Sequence, residues 1–182
     1  MVSLRAFVAI NFPEYIKEEI KGVQDSLKPH VKSARWTRPG NFHLTLKFLG
    51  EIDRIQKESA CAAIKQVCAD MLPFEIEFDG LGYFGTQGDM KVVWIGLNGG
   101  IEEIMFLHNN IEKTFKDSGF PSDKKGFKPH ITIARDVRIL SSLDGPSFRL
   151  NLSKIVVSEI SLMLSENKGA GFYYTPLYTC RF

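Results

Sequence analysis

Cysteine is scarce in this 182-residue chain, where Cys61, Cys68 and Cys180 are the only three. The count is odd and no C-x-x-C pair occurs. That argues against a disulfide framework and predicts reduced thiols in a cytosolic setting. Cys61 and Cys68 fall on a predicted helix, where buried packing is the plain reading. Long apolar runs are missing as well. None reaches the roughly 18–20 residues that a bilayer-spanning helix needs, and residues 1–13 lack a signal-peptide layout. The expectation is a cytoplasmic protein with no membrane partner. Net charge is only +2, with 44% of residues apolar and 24% charged. So small a charge gives no argument for whole-surface binding to duplex nucleic acid and permits a local basic site for one or a few phosphates. Neither a G-x-S-x-G elbow nor a Walker-type G-x-x-x-x-G-K-[ST] loop is present, and nothing suggests a nucleotide-powered reaction.

The length fits one domain, or two small lobes sharing a core. Residues 4–10 read as a strand, and Pro13 opens a helix over 14–27 whose apolar positions are Ile16, Ile20, Val23 and Leu27. A short strand at 34–37 precedes the Pro39-Gly40 turn, and a strand at 42–49 ends at Gly50. Asp53 caps a helix running to about residue 70, and residues 74–78 alternate as a strand. The four glycines in 80–88 predict a turn or loop. Residues 91–97 form a buried strand, and Ile101, Ile104, Leu107, Ile111 and Phe115 mark a helix face. A polar loop at 119–129 carries Lys124, Lys125 and Lys128, and a second loop spans about 140–147. Strands are expected at 130–134, 148–152, 154–164 and 172–179. Each half thus has a strand, a helix of about four turns and a His-x-Thr strand. Without regular βαβ alternation, two related α+β lobes fit better than a doubly wound sheet.

Two near-identical tetrads dominate the chain: His43-Leu44-Thr45-Leu46 and His130-Ile131-Thr132-Ile133. A strand alternates its faces, so His and Thr share one side and the aliphatics take the other. One such tetrad is a weak signal. Two with matching flanks are not, because an unpaired buried polar group costs a few kcal/mol and an aliphatic residue would fit there without it. His30, at a helix end, and His108, on the 101–117 helix, have no such setting and read as structural or solvent-facing.

Imidazole, with an unperturbed pKa of ~6.5, offers both protonation states near neutrality. One neutral His takes a proton from a nucleophile while one protonated His gives a proton to a leaving oxygen, if their environments separate the two states. Threonine hydroxyls donate to non-bridging phosphate oxygens. The pattern is what acid–base chemistry on a phosphate ester requires. No Cys, Asp or Glu joins the histidines at metal-ligand spacing, so a zinc site is not expected.

Paired H-[aliphatic]-T-[aliphatic] strands resemble the 2H phosphoesterase superfamily. Arg5-x-Phe7-x-Ala9-Ile10, Phe42 followed by HLTLKFLGE and Ile52, Val92-Val93-Trp94-Ile95-Gly96, Phe127-x-Pro129 followed by HITIAR, and Tyr174-Thr-Pro-Leu177 narrow it. They are similar to the RNA 2′,3′-cyclic phosphodiesterase branch, also called the 2′-5′ RNA ligase family. The resemblance runs nearly end to end. It implies an α+β fold over residues 1–182, one bilobal domain with an antiparallel sheet in each lobe, outer helices and a cleft between. It implies metal-independent opening of an RNA 2′,3′-cyclic phosphate end to a 2′-phosphomonoester, with no cofactor. In family terms His43 is the proton donor to the departing 3′ oxygen and His130 the proton acceptor activating water. Thr45 and Thr132 hold the phosphate.

Arg135 matches a basic family position. Strict alternation puts it opposite His130, so it needs a strand end or bulge to reach the cleft. Lys47 falls on the His43 face, near the phosphate or solvated at a strand edge. Trp36, Phe42 and Tyr174 are candidates for stacking a base, whereas Phe48 and Trp94 read as core. The partner implied is an RNA or oligonucleotide end bearing a 2′,3′-cyclic phosphate, and a monomer suffices. Two alternatives stay open: a reversible 2′-5′ ligase or phosphodiesterase, and a module that binds an RNA end without turnover.

Overall fold

The computed structural model describes residues 3–86, 88–123, 126–140, 150–169 and 171–182. β1 (Leu4–Asn11) leads into α1 (Glu14–Leu27), which starts directly after Pro13 and ends in a short 3-10 turn holding Pro29. β2 (Val31–Trp36), β3 (His43–Ile52) and α2 (Arg54–Ala69) follow. Asp53 caps α2 in a reciprocal box: its carboxylate accepts from Gln56 N at 2.8 Å, and its own N–H donates to the Gln56 side chain at 3.0 Å. Next come β4 (Phe74–Thr86), β5 (Asp89–Gly99), α3 (Ile101–Asp117), β6 (Ile131–Ile139), β7 (Ile155–Val157), β8 (Glu159–Asn167) and β9 (Phe172–Arg181).

The strands form two antiparallel sheets, ordered β3-β1-β8-β9 and β2-β6-β5-β4-β7. The expected α+β architecture with one antiparallel sheet per lobe is therefore present. The lobes are not the two halves of the sequence, however. The chain starts in the first sheet, visits the second twice, and returns at β8 and β9 to complete the first. One cluster of buried residues, with Ile16 and Ile20 from α1, Ile64 from α2 and Ile111 from α3, joins both sheets. None of the described helices is long and apolar enough to cross a membrane.

Three expectations fail for identifiable reasons. The glycine-rich stretch 80–88, expected to be a turn or loop around a short extended piece, is strand as far as Thr86. There β4 pairs with β5 from Glu77 onward, and the turn is confined to its end, at Gly88 among the described residues. Gly80 sits at a register shift with φ +62°, which glycine adopts without strain, so glycine here bends a strand without ending it. The single strand expected at 154–164 is two strands in different sheets. Ser158 separates β7, on β4, from β8, on β1. The strand expected at 148–152 is absent at residues 150–152, and its first two residues lie outside the described set. The loop expected at 140–147 also lies outside it, apart from the exposed Leu140.

Candidate active site

His43 opens β3 in the first sheet, and His130 immediately precedes β6 in the second. Both tetrads alternate as expected. Leu44, Leu46, Ile131 and Ile133 are buried, while His43, Thr45, His130 and Thr132 are half-buried on the other face.

The two rings are held alike. His43 Nδ1 lies 2.6 Å from Asn41 O, and His130 Nδ1 lies 2.7 Å from Lys128 O. A carbonyl oxygen only accepts, so Nδ1 carries the hydrogen in each ring and Nε2 is left as the atom that exchanges protons. His43 Nε2 is 2.8 Å from Thr45 Oγ1 and accepts from that hydroxyl when the ring is neutral. Asn41, which orients His43, lies in a one-turn 3-10 helix (Pro39–Asn41) and is itself tied down, its amide donating to Phe172 O of β9 at 2.8 Å. The His43 ring packs against Phe7 at 4.9 Å and edge-on to Tyr174 at 5.2 Å. The His130 ring packs against Phe84 at 5.3 Å and Trp94 at 6.1 Å.

Burial dominates the electrostatics of both rings. It pulls the His43 pKa down from 6.5 to about 4, assisted by the positive charge of Arg135 and by His130, while the Asn41 carbonyl opposes the fall. His130 is also lowered, first by burial and then by Arg135 and Lys128. The charge of Arg135 thus acts on both rings, and that of His130 on His43.

A bulge falls on the last residue of each tetrad. In β3, Thr45 pairs with Ala9 and Lys47 with Val8, so Leu46 is an extra residue. In β6, Thr132 pairs with Trp94 and Ala134 with Val93, so Ile133 is extra. The bulge reverses the alternation beyond it. Arg135 is thereby exposed on the side of Thr132, supplying the irregularity its approach to the histidines requires.

The same reversal corrects two expectations. Lys47 is neither beside the phosphate position nor solvated at an edge. It is 1% exposed, with its ammonium 2.5 Å from Glu112 Oε1 on α3 and 3.0 Å from Pro121 O. Phe48, expected in the core, is 64% exposed and packs its ring 6.1 Å from Phe7, the neighbour of His43. Of the stacking candidates, Phe42 is buried at 1% exposure and unavailable. Trp36 is half-buried on the core with Lys28 over its ring, and only Tyr174 touches a tetrad histidine. Lys124 and Lys125 lie outside the described residues.

The carbonyl of each bulge residue is met by a buried helix side chain, and that of Ile133 also accepts from Thr37 N at 3.0 Å. His108 on α3 places Nδ1 3.0 Å from Leu46 O and stacks its ring on Phe127 at 3.9 Å. Gln24 on α1 donates to Ile133 O at 2.6 Å and to Thr37 O at 2.8 Å. The structural reading of His108 holds, with a sharper content: it links the end of the first tetrad to the segment entering the second. Gln24 was invisible to an apolar-periodicity reading, since a polar residue on a core-facing stripe is distinguished only by the acceptor it meets. Among the described residues, no three His, Cys, Asp or Glu side chains gather as metal ligands do.

A family model described as the 2′-5′ RNA ligase superfamily matches residues 12–145. An RNA 2′,3′-cyclic phosphodiesterase of Methanothermobacter thermautotrophicus is 30% identical over 189 aligned positions, which cover 99% of this chain and all of that one. One of Aquifex aeolicus is 28% identical, covering 98% of this chain and 95% of its own. Among solved structures, Escherichia coli LigT complexed with 3′-AMP superposes with a TM-score of 0.82 at 25% identity, over 100% of this chain and 99% of that one. A phosphoesterase crystal structure matches with a TM-score of 0.83 at 26% identity, over the same shares.

Proposed function

The chain belongs to the 2′-5′ RNA ligase superfamily, and on that premise we propose that it opens 2′,3′-cyclic phosphate ends of RNA to 2′-phosphomonoesters without a metal. The observation that carries this reading is the pair of imidazoles whose Nδ1–H groups are both tied to carbonyl oxygens, which makes Nε2 the proton-exchanging atom of each ring.

In the proposed step, Nε2 of neutral His130 accepts a proton from water as the water oxygen bonds to phosphorus. The P–O3′ bond breaks, and Nε2–H of protonated His43 delivers a proton to O3′. The product is a 2′-phosphate beside a free 3′-hydroxyl, and the proton balance leaves His130 charged and His43 neutral. Thr45 and Thr132 donate to the non-bridging oxygens, and Arg135 compensates the charge that gathers on them. Each proton transfer is worth roughly 10²–10⁴ in rate. His43 is the less basic ring among the protein's own charges. An anionic phosphate against it raises its pKa, so the donor is charged where substrate is bound. Nothing in this chemistry calls for a second copy of the chain.

The test is product identity. An oligoribonucleotide ending in a 2′,3′-cyclic phosphate, incubated with the protein in excess EDTA, is expected to yield a 2′-phosphate. His43→Ala and His130→Ala are each expected to abolish it. A 3′-phosphate product, or activity that survives in either variant, contradicts the proposal.

A further inference from the structure

A cavity of about 400 Å³ abuts the second tetrad, and Trp94, Lys128, Asp79, Leu81, Leu97 and Ile101 contribute to its wall. Trp94 pairs with Thr132 across the ladder, and the Lys128 carbonyl holds His130 Nδ1, so the cavity shares a wall with the candidate active site. Trp94 is 9% exposed, yet its indole Nε1 has no hydrogen-bond partner among the described residues. A buried donor of this kind costs about 1–3 kcal/mol while unpaired, a cost that an acceptor reaching it from the cavity would remove.

The ring lies where it does because two glycines make room for it. A Cβ on Gly82 would stand 2.2 Å from the indole, and one on Gly96 would stand 3.1 Å from it and 2.8 Å from Asp79 O. The glycine-rich stretch of β4 thus forms a slot for Trp94 across two strands. The Lys128 ammonium lies 4.3 Å from the centre of the Trp94 ring and 5.9 Å from that of Phe84, with no carboxylate paired to it among the described residues. Leu81, Leu97 and Ile101 supply apolar wall, and Asp79 supplies a carboxylate that repels anions and accepts from amino groups.

A cation, an unpaired N–H donor, an apolar wall and a separate acceptor suit a nucleotide: its phosphate at Lys128, its base against the leucines, and a base acceptor on Trp94 Nε1. We infer that this cavity is the subsite for the nucleotide preceding the one whose cyclic phosphate is opened, so that chains of two or more nucleotides are preferred substrates. The inference rests on the function proposed above.

The test uses the full-length, ¹⁵N-labelled protein and follows the indole N–H resonance of Trp94, assigned with Trp94→Phe. A dinucleotide ending in a 2′-phosphate is expected to shift it, and the mononucleotide 2′-phosphate is not. In parallel, kcat/KM is expected to favour a dinucleotide 2′,3′-cyclic phosphate over the mononucleotide by about tenfold. Lys128→Gln and Trp94→Phe should each shrink that ratio several-fold, mainly through KM, as loss of one hydrogen bond or charge contact does. An unmoved indole resonance, a wild-type ratio near one, or a ratio unchanged in both variants overturns the subsite. The resonance needs no turnover. A shift without hydrolysis of either substrate would sink the proposed reaction and leave the subsite standing, whereas equal hydrolysis of both does the reverse.

Discussion

Phe48 and Arg135 occupy the same position in the two tetrad strands, each on the second residue past an identical bulge. One lobe therefore offers an exposed ring at this point and the other a cation, so two nearly symmetric motifs face different chemistry. Arg135 lowers the pKa of both histidines. Replacing it by Gln is expected to cut kcat/KM by about 10–100-fold, the worth of a charge-assisted contact. Removing its charge also raises both histidine pKa values, so both limbs of the pH–rate profile should move to higher pH. A rate loss with no movement of the limbs would mean that Arg135 acts elsewhere.

The pH dependence of the wild type follows from the same shifts. The reaction needs His43 protonated and His130 neutral. Between the lower and the higher of the two coupled values the free enzyme holds one proton on the pair, mainly on the more basic His130, and the reactive form is the minor arrangement of that same singly protonated state. The lower lies at about 4, and the other is below its usual 6.5. The kcat/KM profile is therefore expected to be bell-shaped with its maximum on the acid side of pH 6.5. It falls toward higher pH as the donor's proton is lost and toward lower pH as the base is protonated. In kcat the bell should sit at higher pH, because bound phosphate favours the charged rings. A kcat/KM profile flat from pH 5 to 9 would remove both histidines from proton transfer.

His108 and Gln24 hold the two bulge carbonyls, Leu46 O and Ile133 O. An aliphatic residue in place of His108 removes the side-chain partner of Leu46 O, and one in place of Gln24 removes one of two donors to Ile133 O together with the donor to Thr37 O, each at a cost of about 1–3 kcal/mol in unfolding free energy. Urea denaturation measures this. Because the bulges aim Arg135 and set the tetrads, kcat should fall in His108→Leu more than KM changes. Unaltered stability and kcat in both variants would show the carbonyls satisfied in another way.

Lys47 and Glu112 form a nearly buried ion pair that also gathers Pro121 O and Asp123 N, fastening the loop between α3 and β6. Removing one charge leaves the other buried, so Lys47→Met is expected to destabilise by about 3–5 kcal/mol. The double variant Lys47→Met with Glu112→Leu should recover much of that loss. Equal destabilisation in the single and double variants would contradict a charge-pairing role.

The tetrads were legible because alternation and residue type agree over four positions, and the helices because their apolar spacing is regular. Asp53 announced its own cap. What stayed hidden depended on single extra residues. The bulges at Leu46 and Ile133 leave no mark in composition, yet they bury Lys47, expose Phe48 and turn Arg135 around. Gly82 reads as a strand breaker until the Trp94 ring that needs its missing Cβ is placed over it. Likewise, nothing local to residues 154–164 tells that Ser158 divides two sheets, because that depends on partners far along the chain.

The division of labour between His43 and His130 is tested most directly with a cyclic substrate whose 3′ bridging oxygen is replaced by sulfur. A thiol of pKa ~8.5 leaves with little need for a proton. His43→Ala, inactive on the oxygen substrate, is predicted to cleave the sulfur substrate at a rate approaching that of the wild type, while His130→Ala stays inactive on both. Rescue of His130→Ala in place of His43→Ala would reverse the roles, and rescue of neither would contradict proton donation to the 3′ position.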